Sequence, residues 1–214
     1  MKFDLPIQID AAAVLPPVAN LHKFSDMGSD LTIFSGGKGI RGPNDTGLIL
    51  GAGERGMELI EAIRMQACPN TGFGRAFKVS KEQIVGLVTA LEIFVEKDEN
   101  VEYNKQIELL EYISIHISSI PCISVEIVPN NEVYHEFPIM ARVPRLKIEW
   151  DKNSARIDAK ELDSRLAIGD PPIFLGSTIL NPFTNKEIRY INPYLLRRSE
   201  AEIVAERLKE VFTK

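Results

Sequence analysis

Short apolar runs alternate with polar or glycine-rich segments over the first 50 residues of the chain. Three of these runs fit strands: residues 5–9 and 31–34 as buried strands, and residues 47–50 as a third apolar run. Between the first two runs, Asn20 can cap a short helix that Gly28 ends. Because strands alternate with helices, the pattern predicts a parallel, right-handed βαβ arrangement with both faces of the sheet covered.

The rest of the chain differs in composition and periodicity. A segment rich in proline, glycine and asparagine, at residues 68–74, indicates a domain boundary. Ser80 and Gln83 form a capping box that opens a long amphipathic helix, and Ser199 and Glu202 form another before the last helix. Other helices are predicted at 54–67, 101–118 and 159–167, and strands at 123–128, 145–150 and 172–175, the last pairing with 187–191. This pattern predicts an α+β domain of segregated helices and antiparallel strands.

Composition limits the class of protein. Of the 214 residues, 44% are hydrophobic and 26% are charged, which is ordinary for a globular protein. The net charge of −5 provides no positive field to attract nucleic acid. Cys68 and Cys122 lack the spacing of a disulfide framework or metal site, which favours a reducing cytoplasm. The apolar region 113–128 is interrupted by polar residues and proline, and the N-terminus lacks a signal-peptide pattern, so no membrane span is expected.

The stretch from Asp30 to Asn44 carries the most specific chemistry. Lys38 follows a predicted buried strand and is flanked by glycines, which permit positive φ and close approach of a bulky ligand. In a dry crevice the charged form of this lysine is disfavoured, so its amine can act as a nucleophile or base. Ser35 offers a hydroxyl to an anion, and Arg41 supplies a fixed positive charge.

Asp10 follows the first predicted strand. Ligands of parallel sheets bind beyond the carboxyl ends of the strands, so we expect Asp10 and the loop of residues 35–41 to face one crevice. A carboxylate there can keep a pyridine nitrogen protonated. Ala12 and its alanine neighbours leave room for a flat ring close to the backbone.

Three segments resemble fold-type I pyridoxal 5′-phosphate (PLP) enzymes of the selenocysteine synthase-like group. They are IDAAA at 9–13, FSGGKGIRGP at 34–43 and GRAFKVSKE at 74–82. The group includes L-seryl-tRNA(Sec) selenium transferase and D-glucosaminate-6-phosphate ammonia-lyase. The resemblance extends over nearly the whole chain, and its most specific part is the block around Lys38.

This resemblance implies a PLP cofactor, with Lys38 as the Schiff-base lysine, Asp10 as the partner of the pyridine nitrogen and Ser35 as a hydroxyl near the phosphate. Ala12 and Arg41 are expected in the same site, and the roles of Arg75 and Lys78 carry over less securely. The fold implied is α/β: residues 1–78 as the C-terminal part of the PLP-binding large domain, followed by an α+β small domain at 79–214.

The resemblance also implies a reaction class, in which a lyase or transferase removes the Cα proton of an amino acid or amino sugar acid and a β-substituent leaves. Members of the group have a half-domain before the strand that ends in the aspartate. We therefore expect that this chain lacks the N-terminal half, and that a homo-oligomer or a complementary chain completes the site. Whether this polypeptide catalyses a reaction alone is left open.

Other functions remain alternatives. In one alternative, the chain is a non-catalytic truncated remnant or one half of a split enzyme. In another, it is a selenium transferase that acts on seryl-tRNA. The acidic balance disfavours a tRNA partner, because such a partner calls for a basic surface. Arg189, Arg197 and Arg198 are candidate clamps for a substrate carboxylate, although a surface role suits each of them as well.

Two further motifs match by pattern alone. Residues 51–56, GAGERG, fit the glycine pattern of dinucleotide-binding folds, but no buried strand with an acidic end follows at the required distance. Ser35 and Lys38 have the S-x-x-K spacing of penicillin-binding enzymes, which requires one helical turn where this chain has two glycines. Both interpretations are therefore disfavoured, the second more than the first.

Overall fold

The computed structural model of the chain describes residues 4–129, 139–176 and 186–213. These residues form two compact units. The first contains residues 4–99 and 139–142, and the second contains the described residues of 100–129 and 143–213. The domain boundary predicted at residue 78 lies inside the first unit and stays a prediction.

The first unit is built on a three-stranded sheet with the order β1–β2–β3. Its strands are β1 (Gln8–Asp10), β2 (Leu31–Ser35) and β3 (Gly47–Gly51). Its helices are α1 (Asn20–Asp26), α2 (Gly53–Gln66) and α3 (Lys81–Glu96), with a 3-10 turn at Phe73–Phe77. The helix bounds agree with the sequence pattern to within about one residue, but the predicted cap of α1 is wrong: Ala19 is its N-cap, and Asn20 is its first helical residue.

The direction of β3 corrects the prediction of an all-parallel arrangement. β1 and β2 are parallel, as predicted, but β3 runs antiparallel to β2. The reason is the short connection between them, in which turns replace a crossover helix. A parallel neighbour needs a crossover of a dozen or more residues, whereas a direct loop joins antiparallel strands. The backbone N–H of Gly36 donates to the Thr46 carbonyl at 2.9 Å and closes the base of this loop.

The core of the first unit lies between the sheet, the loops that follow β1 and β2, and helix α3. Its buried members are Ala11, Leu15, Leu21, Phe34, Ile40 and Phe94. The predicted capping box is confirmed at the start of α3: Ser80 Oγ accepts from the Gln83 backbone N–H, and Gln83 Oε1 accepts from the Ser80 N–H. Both bonds satisfy amides that the first helical turn leaves without carbonyl partners.

The second unit is the α+β structure that the sequence predicts. Its helices are α4 (Glu99–Ile117), α5 (Lys152–Ala155), α6 (Ala159–Ala167) and α7 (Arg198–Thr213). Its strands β4 (Ile123–Val128), β5 (Arg145–Asp151) and β6 (Lys186–Ile191) form an antiparallel sheet in that order. Alternate residues of β5 (Leu146, Ile148 and Trp150) are buried, which places the apolar core on one face of the sheet. Within the described ranges, no helix has both the length and the apolar character needed to cross a bilayer.

Two predictions for the second unit are wrong in detail. Strand β6 pairs along its length with β5, and the 172–175 run forms no strand; only Gly176 bridges to Tyr190. Consecutive prolines at 171 and 172 remove the N–H donors that a sheet ladder needs. The last helix begins at Arg198, so Ser199 is inside it and forms no capping box.

Candidate active site

Asp10 and the Lys38 loop leave the sheet at the same edge. Strands β1 and β2 are parallel, with Asp10 paired to Ile33, two residues before the end of β2 at Ser35. The backbone continues this pairing by one bond, from the Ala11 N–H to the Ile33 carbonyl at 2.8 Å. The carboxyl ends of both strands therefore open onto one region, as the strand pattern predicts.

Lys38 lies at the turn of a closed loop, residues 36–42. The Gly42 N–H donates to the Gly36 carbonyl at 2.8 Å, and the Arg41 N–H donates to the Lys38 carbonyl at 3.1 Å. The Lys38 side chain is exposed, which differs from the dry environment that the sequence predicts. The loop thus holds a reachable primary amine on a fixed backbone.

The glycines around Lys38 pack closely against other parts of the first unit. A Cβ on Gly36 would overlap Thr46 Oγ1, and one on Gly39 would come within 2.6 Å of Leu15. Neither of these glycines has positive φ; in this loop the left-handed conformation occurs at Arg41, with φ 62°. The predicted positive φ is therefore wrong for Gly36 and Gly39, and the absence of a side chain at both positions is required for packing of the loop against the protein itself.

Helix α3 holds the outer side of this loop. Gln83 Nε2 donates to Asp45 Oδ2 at 3.2 Å, Pro43 contacts the helix at Gly86, and Leu87 lies against Gly36 and Gly42. The sequence predicted the helix from its cap and apolar stripe but missed its role at the site. The sequence contained part of this information, because the spacing of Gly86 and Leu87 places them on the same face of α3 as residues of its first turn.

Asp10 is exposed at the end of β1 and also shapes the turn after it. Its Oδ1 accepts the backbone N–H of Ala12 at 3.0 Å. Such a bond to the residue two positions on is typical of aspartate in turns, and it orients the carboxylate. Ala11 is fully buried and Ala12 is half-buried, so small side chains line the backbone beside the carboxylate. Ser35 is half-buried at the end of β2.

Two of the arginines proposed as carboxylate clamps have partners in the protein. Arg189 is buried and forms a two-pronged ion pair with Asp163, from Nη2 at 2.7 Å and from Nε at 3.0 Å. Arg198 stacks on the ring of Tyr112 at 3.8 Å and pairs with Glu202. These contacts give both arginines a structural role within the second unit. Arg75 and Lys78 are exposed in and after the 3-10 turn.

The GAGERG motif follows a strand and opens α2, but β3 is antiparallel to its neighbour. A dinucleotide site needs parallel strands there. Gly56 is buried because its missing Cβ admits the Asp30 carbonyl, and a Cβ on Gly51 would lie 2.6 Å from Ile60. The motif therefore packs the helix closely against the sheet.

Comparison with known proteins extends these findings. The chain is 26% identical over 207 residues to the 5'-C-glycyluridine monooxygenase-decarboxylase of a Streptomyces species, which covers 97% of this chain and 46% of that protein. It is 24% identical over 207 residues to the D-glucosaminate-6-phosphate ammonia lyase of Salmonella typhimurium, covering 97% of this chain and 49% of that one. No protein-family model matches the chain.

Solved structures decide the fold. A structure of D-glucosaminate-6-phosphate ammonia-lyase matches 98% of this chain and 49% of its own, with a TM-score of 0.69 at 23% identity. A PLP-bound putative aminotransferase from Clostridium difficile matches 99% of this chain and 51% of its own, with a TM-score of 0.52 at 14% identity. The chain has the fold of fold-type I PLP-dependent enzymes, over about half the length of these solved chains.

The fold-type I assignment confirms the predicted α/β class and the α+β region that follows it. The chain spans about half the length of the curated relatives it matches. Those two relatives carry names of different reactions, so the fold does not by itself define the chemistry.

Proposed function

We propose that the chain contributes Lys38 and Asp10 to a PLP site that serves a lyase or transferase reaction on an amino acid or amino sugar acid. The observation that carries the proposal is the parallel pairing of β1 and β2, which brings Asp10 and the Lys38 loop to one edge of a fold-type I sheet. An exposed amine, an exposed carboxylate and a backbone lined by small alanines suit a flat aldehyde-bearing ring. The residues present therefore fit the cofactor.

Each residue then has a distinct role. PLP, when bound, withdraws electrons from the Cα of an attached amino substrate. The Lys38 amine would hold the cofactor covalently and would serve as the general base for the Cα proton of the substrate. The Asp10 carboxylate, oriented by its bond from the Ala12 N–H, would keep the pyridine nitrogen protonated. The Ser35 hydroxyl would donate to the phosphate, and Arg41 would add positive charge beside it.

An elimination is favoured over the other reactions of the group. The ammonia lyase that acts on D-glucosaminate 6-phosphate is similar to this chain both in sequence and in structure. Loss of the Cα proton to Lys38, followed by departure of a β-substituent, describes such a reaction for an amino acid or amino sugar acid. The net charge of −5 disfavours seryl-tRNA as the substrate.

We also propose that another polypeptide segment covers the site, either from a second copy of the chain or from a complementary chain. Lys38 and Asp10 are exposed, whereas general-base catalysis by a lysine benefits from a desolvated amine. The first unit exposes several large apolar side chains, including Met57, Met65, Phe73, Phe77 and Val85. Several exposed apolar side chains on one unit are typical of a surface that binds another protein. The free cysteines Cys68 and Cys122 fit a reducing cytoplasm.

The exposure of Lys38 also favours the second candidate, one half of a split enzyme or a remnant without activity. Labelling separates the candidates. The purified chain is mixed with PLP, reduced with borohydride and digested, and the modified lysines are mapped by mass spectrometry. Labelling confined to Lys38, lost in Lys38→Ala and retained in the control Lys78→Ala, supports the proposal. Absent labelling, or labelling spread over surface lysines, contradicts a cofactor site in this chain alone and supports the second candidate.

A further inference from the structure

One side chain at the start of helix α3 forms hydrogen bonds to two separate segments of the first unit. Gln83 Oε1 accepts the Ser80 backbone N–H at 2.8 Å and completes the capping box. Gln83 Nε2 donates to Asp45 Oδ2 at 3.2 Å, 38 residues earlier in the chain. A side-chain amide has separate acceptor and donor groups, so both bonds form at once. The cap of α3 and the segment that contains Asp45 therefore share Gln83.

The partner of Gln83 lies in the loop that joins β2 to β3 and carries Lys38. Asp45 precedes Thr46, whose carbonyl oxygen accepts the Gly36 N–H at 2.9 Å and closes the base of the loop. Gly36 is two residues before Lys38. The hydrogen bond from Gln83 therefore attaches the base of the Lys38 loop to α3.

The same face of α3 packs against the loop beyond this bond. Gly86 and Leu87 follow Gln83 by three and four residues, which places all three on one face of the helix. Pro43 Cγ lies 3.0 Å from the position that a Cβ on Gly86 would take. Leu87 Cδ1 lies 3.3 Å from the corresponding position on Gly42. The helix thus contacts the loop through a polar bond in its first turn and through apolar contacts one turn later.

The orientation of Gln83 gives this bond more effect than an ordinary surface contact has. Apolar contacts are non-directional, whereas a hydrogen bond fixes a direction. Because Oε1 is already held by the Ser80 N–H, the Nε2 group is oriented before it meets Asp45. A side chain that is already oriented loses less conformational entropy when it binds. Gln83 therefore transmits the fixed position of the helix start to the loop.

We infer that Gln83 is a positioning residue for Lys38, which holds the loop of that lysine through Asp45 while its other end caps α3. The role of Lys38 rests on the proposed function, whereas the position of Gln83 rests on the contacts of α3 with the loop. Gln83 acts through the loop backbone and needs no contact with cofactor or substrate. The first turn of α3 and the placement of the Lys38 amine are consequently coupled.

Exchange of the donor and the acceptor tests this coupling. Gln83→Glu keeps an acceptor for the Ser80 N–H but replaces the donor to Asp45 with a carboxylate that repels it. Asp45→Asn keeps an acceptor for Gln83 Nε2 and is the matched control. Gln83→Glu/Asp45→Asn restores one donor and one acceptor in reversed order. Hydrogen exchange of the Gly36 and Gly42 amides, measured by NMR in the full chain without PLP, reports whether the loop is closed.

We expect both glycine amides to exchange roughly fivefold faster in Gln83→Glu than in the wild type. Asp45→Asn and the double variant should exchange at wild-type rates. The backbone N–H at position 83, which bonds to Ser80 Oγ, is the internal control and should not change, because the cap is kept. Equal loop rates in all four chains, a double variant as fast as Gln83→Glu, or faster exchange at position 83 would each overturn the inference.

Borohydride labelling of Lys38 with PLP gives the second measurement. Its rate should fall by a similar factor in Gln83→Glu and recover in the double variant, because the amine is displaced and then returned. Equal labelling of Lys38 in a chain whose loop amides exchange faster would overturn the positioning role. An unlabelled wild type whose amides follow the expected order refutes the proposed function alone. A labelled wild type whose amides are insensitive to the variants refutes the inference alone.

Discussion

Leu87 lies against Gly36, with its Cδ1 2.9 Å from the position that a Cβ on Gly36 would take. The Thr46 side chain also occupies the position of such a Cβ, and its Oγ1 donates to the Pro43 carbonyl at 2.6 Å. Gly36 is therefore enclosed by helix α3 and by the far end of its own loop. The position of Lys38, two residues on, depends on this enclosure.

Gly36→Ala should destabilise the first unit by about 2 kcal/mol or more, because the added methyl group displaces Thr46 or Leu87 from a packed position. Urea unfolding, followed by circular dichroism, measures the loss. Gly47→Ala is the matched control, since its Cβ would stand at an ordinary 3.4 Å from the nearest atom, the Phe34 carbonyl oxygen. Equal unfolding midpoints for both variants would show that the loop adapts freely.

Ser80→Ala should cost about 1 kcal/mol of stability, because the first turn of α3 loses the acceptor for the Gln83 N–H. Ser80→Thr keeps a hydroxyl at the same position and should recover most of the loss. Thermal unfolding of the three proteins gives the comparison. If the threonine variant unfolds as early as the alanine variant, the hydroxyl bond is not the source of the stability.

Asp163→Ala should destabilise the second unit by about 1–3 kcal/mol, because it leaves the Arg189 guanidinium buried without its carboxylate. The exposed pair Arg198–Glu202 is the control, and Glu202→Gln should change the unfolding free energy by less than about 1 kcal/mol. Chemical denaturation measures both. The double variant Asp163→Leu/Arg189→Met should regain much of the loss, since it also removes the buried charge. Similar small effects of Asp163→Ala and Glu202→Gln would argue against the Arg189–Asp163 pair as a stabilising contact.

Glu149 gives the second unit a pH-dependent contribution to stability. A hydrogen bond from Lys186, and another from Lys147, lower the pKa of the Glu149 carboxyl below its ordinary value of 4.5. The unfolded chain therefore binds the proton more tightly, and the ionised carboxylate stabilises the fold at pH values above about 4.5. The contribution is lost as the pH falls through the lower pKa of the folded state.

Urea unfolding of the wild type and of Glu149→Gln from pH 7 to pH 3 tests this expectation. The wild type should be more stable near neutral pH, and the two curves should converge at acid pH. Other carboxylates affect both proteins equally and cancel in the difference. A difference that stays constant over the whole range would mean that ionisation of Glu149 contributes nothing.

Local signals in the sequence predicted the elements well. The cap at Ser80 and the apolar stripe after it defined α3, and the alternation along β5 defined its buried face. These predictions are correct because the periodicities of helices and strands depend on residues that are close together in the sequence. The placement of Asp10 beside the Lys38 loop also followed from sequence, because parallel strands end at one edge.

Features that depend on distant residues were missed. The direction of β3 depends on whether the chain turns back or crosses over, and the 36–46 loop contains no periodic signal to decide this. The packing of the glycines around Lys38 against Thr46 and Leu15 was not predicted, because these neighbours are identified only in three dimensions. The contact between residues 139–142 and the loop after Asp10 had no local pattern to predict it, since the hydrogen bond from the Arg142 N–H to the Pro16 carbonyl results from tertiary packing.

The hydrogen bond from Asn20 to Met140 joins residues 120 positions apart and has a consequence for biosynthesis. Translation proceeds from the N-terminus, so the loop after Asp10 leaves the ribosome long before its partner segment is made. Until then the Asn20 amide has only water and the Val14 carbonyl to bind. Contacts between such distant residues form late because closing a long loop is entropically costly. The nascent chain thus carries its lysine loop early and acquires the segment of residues 139–142 only after α4 and β4 have been synthesised.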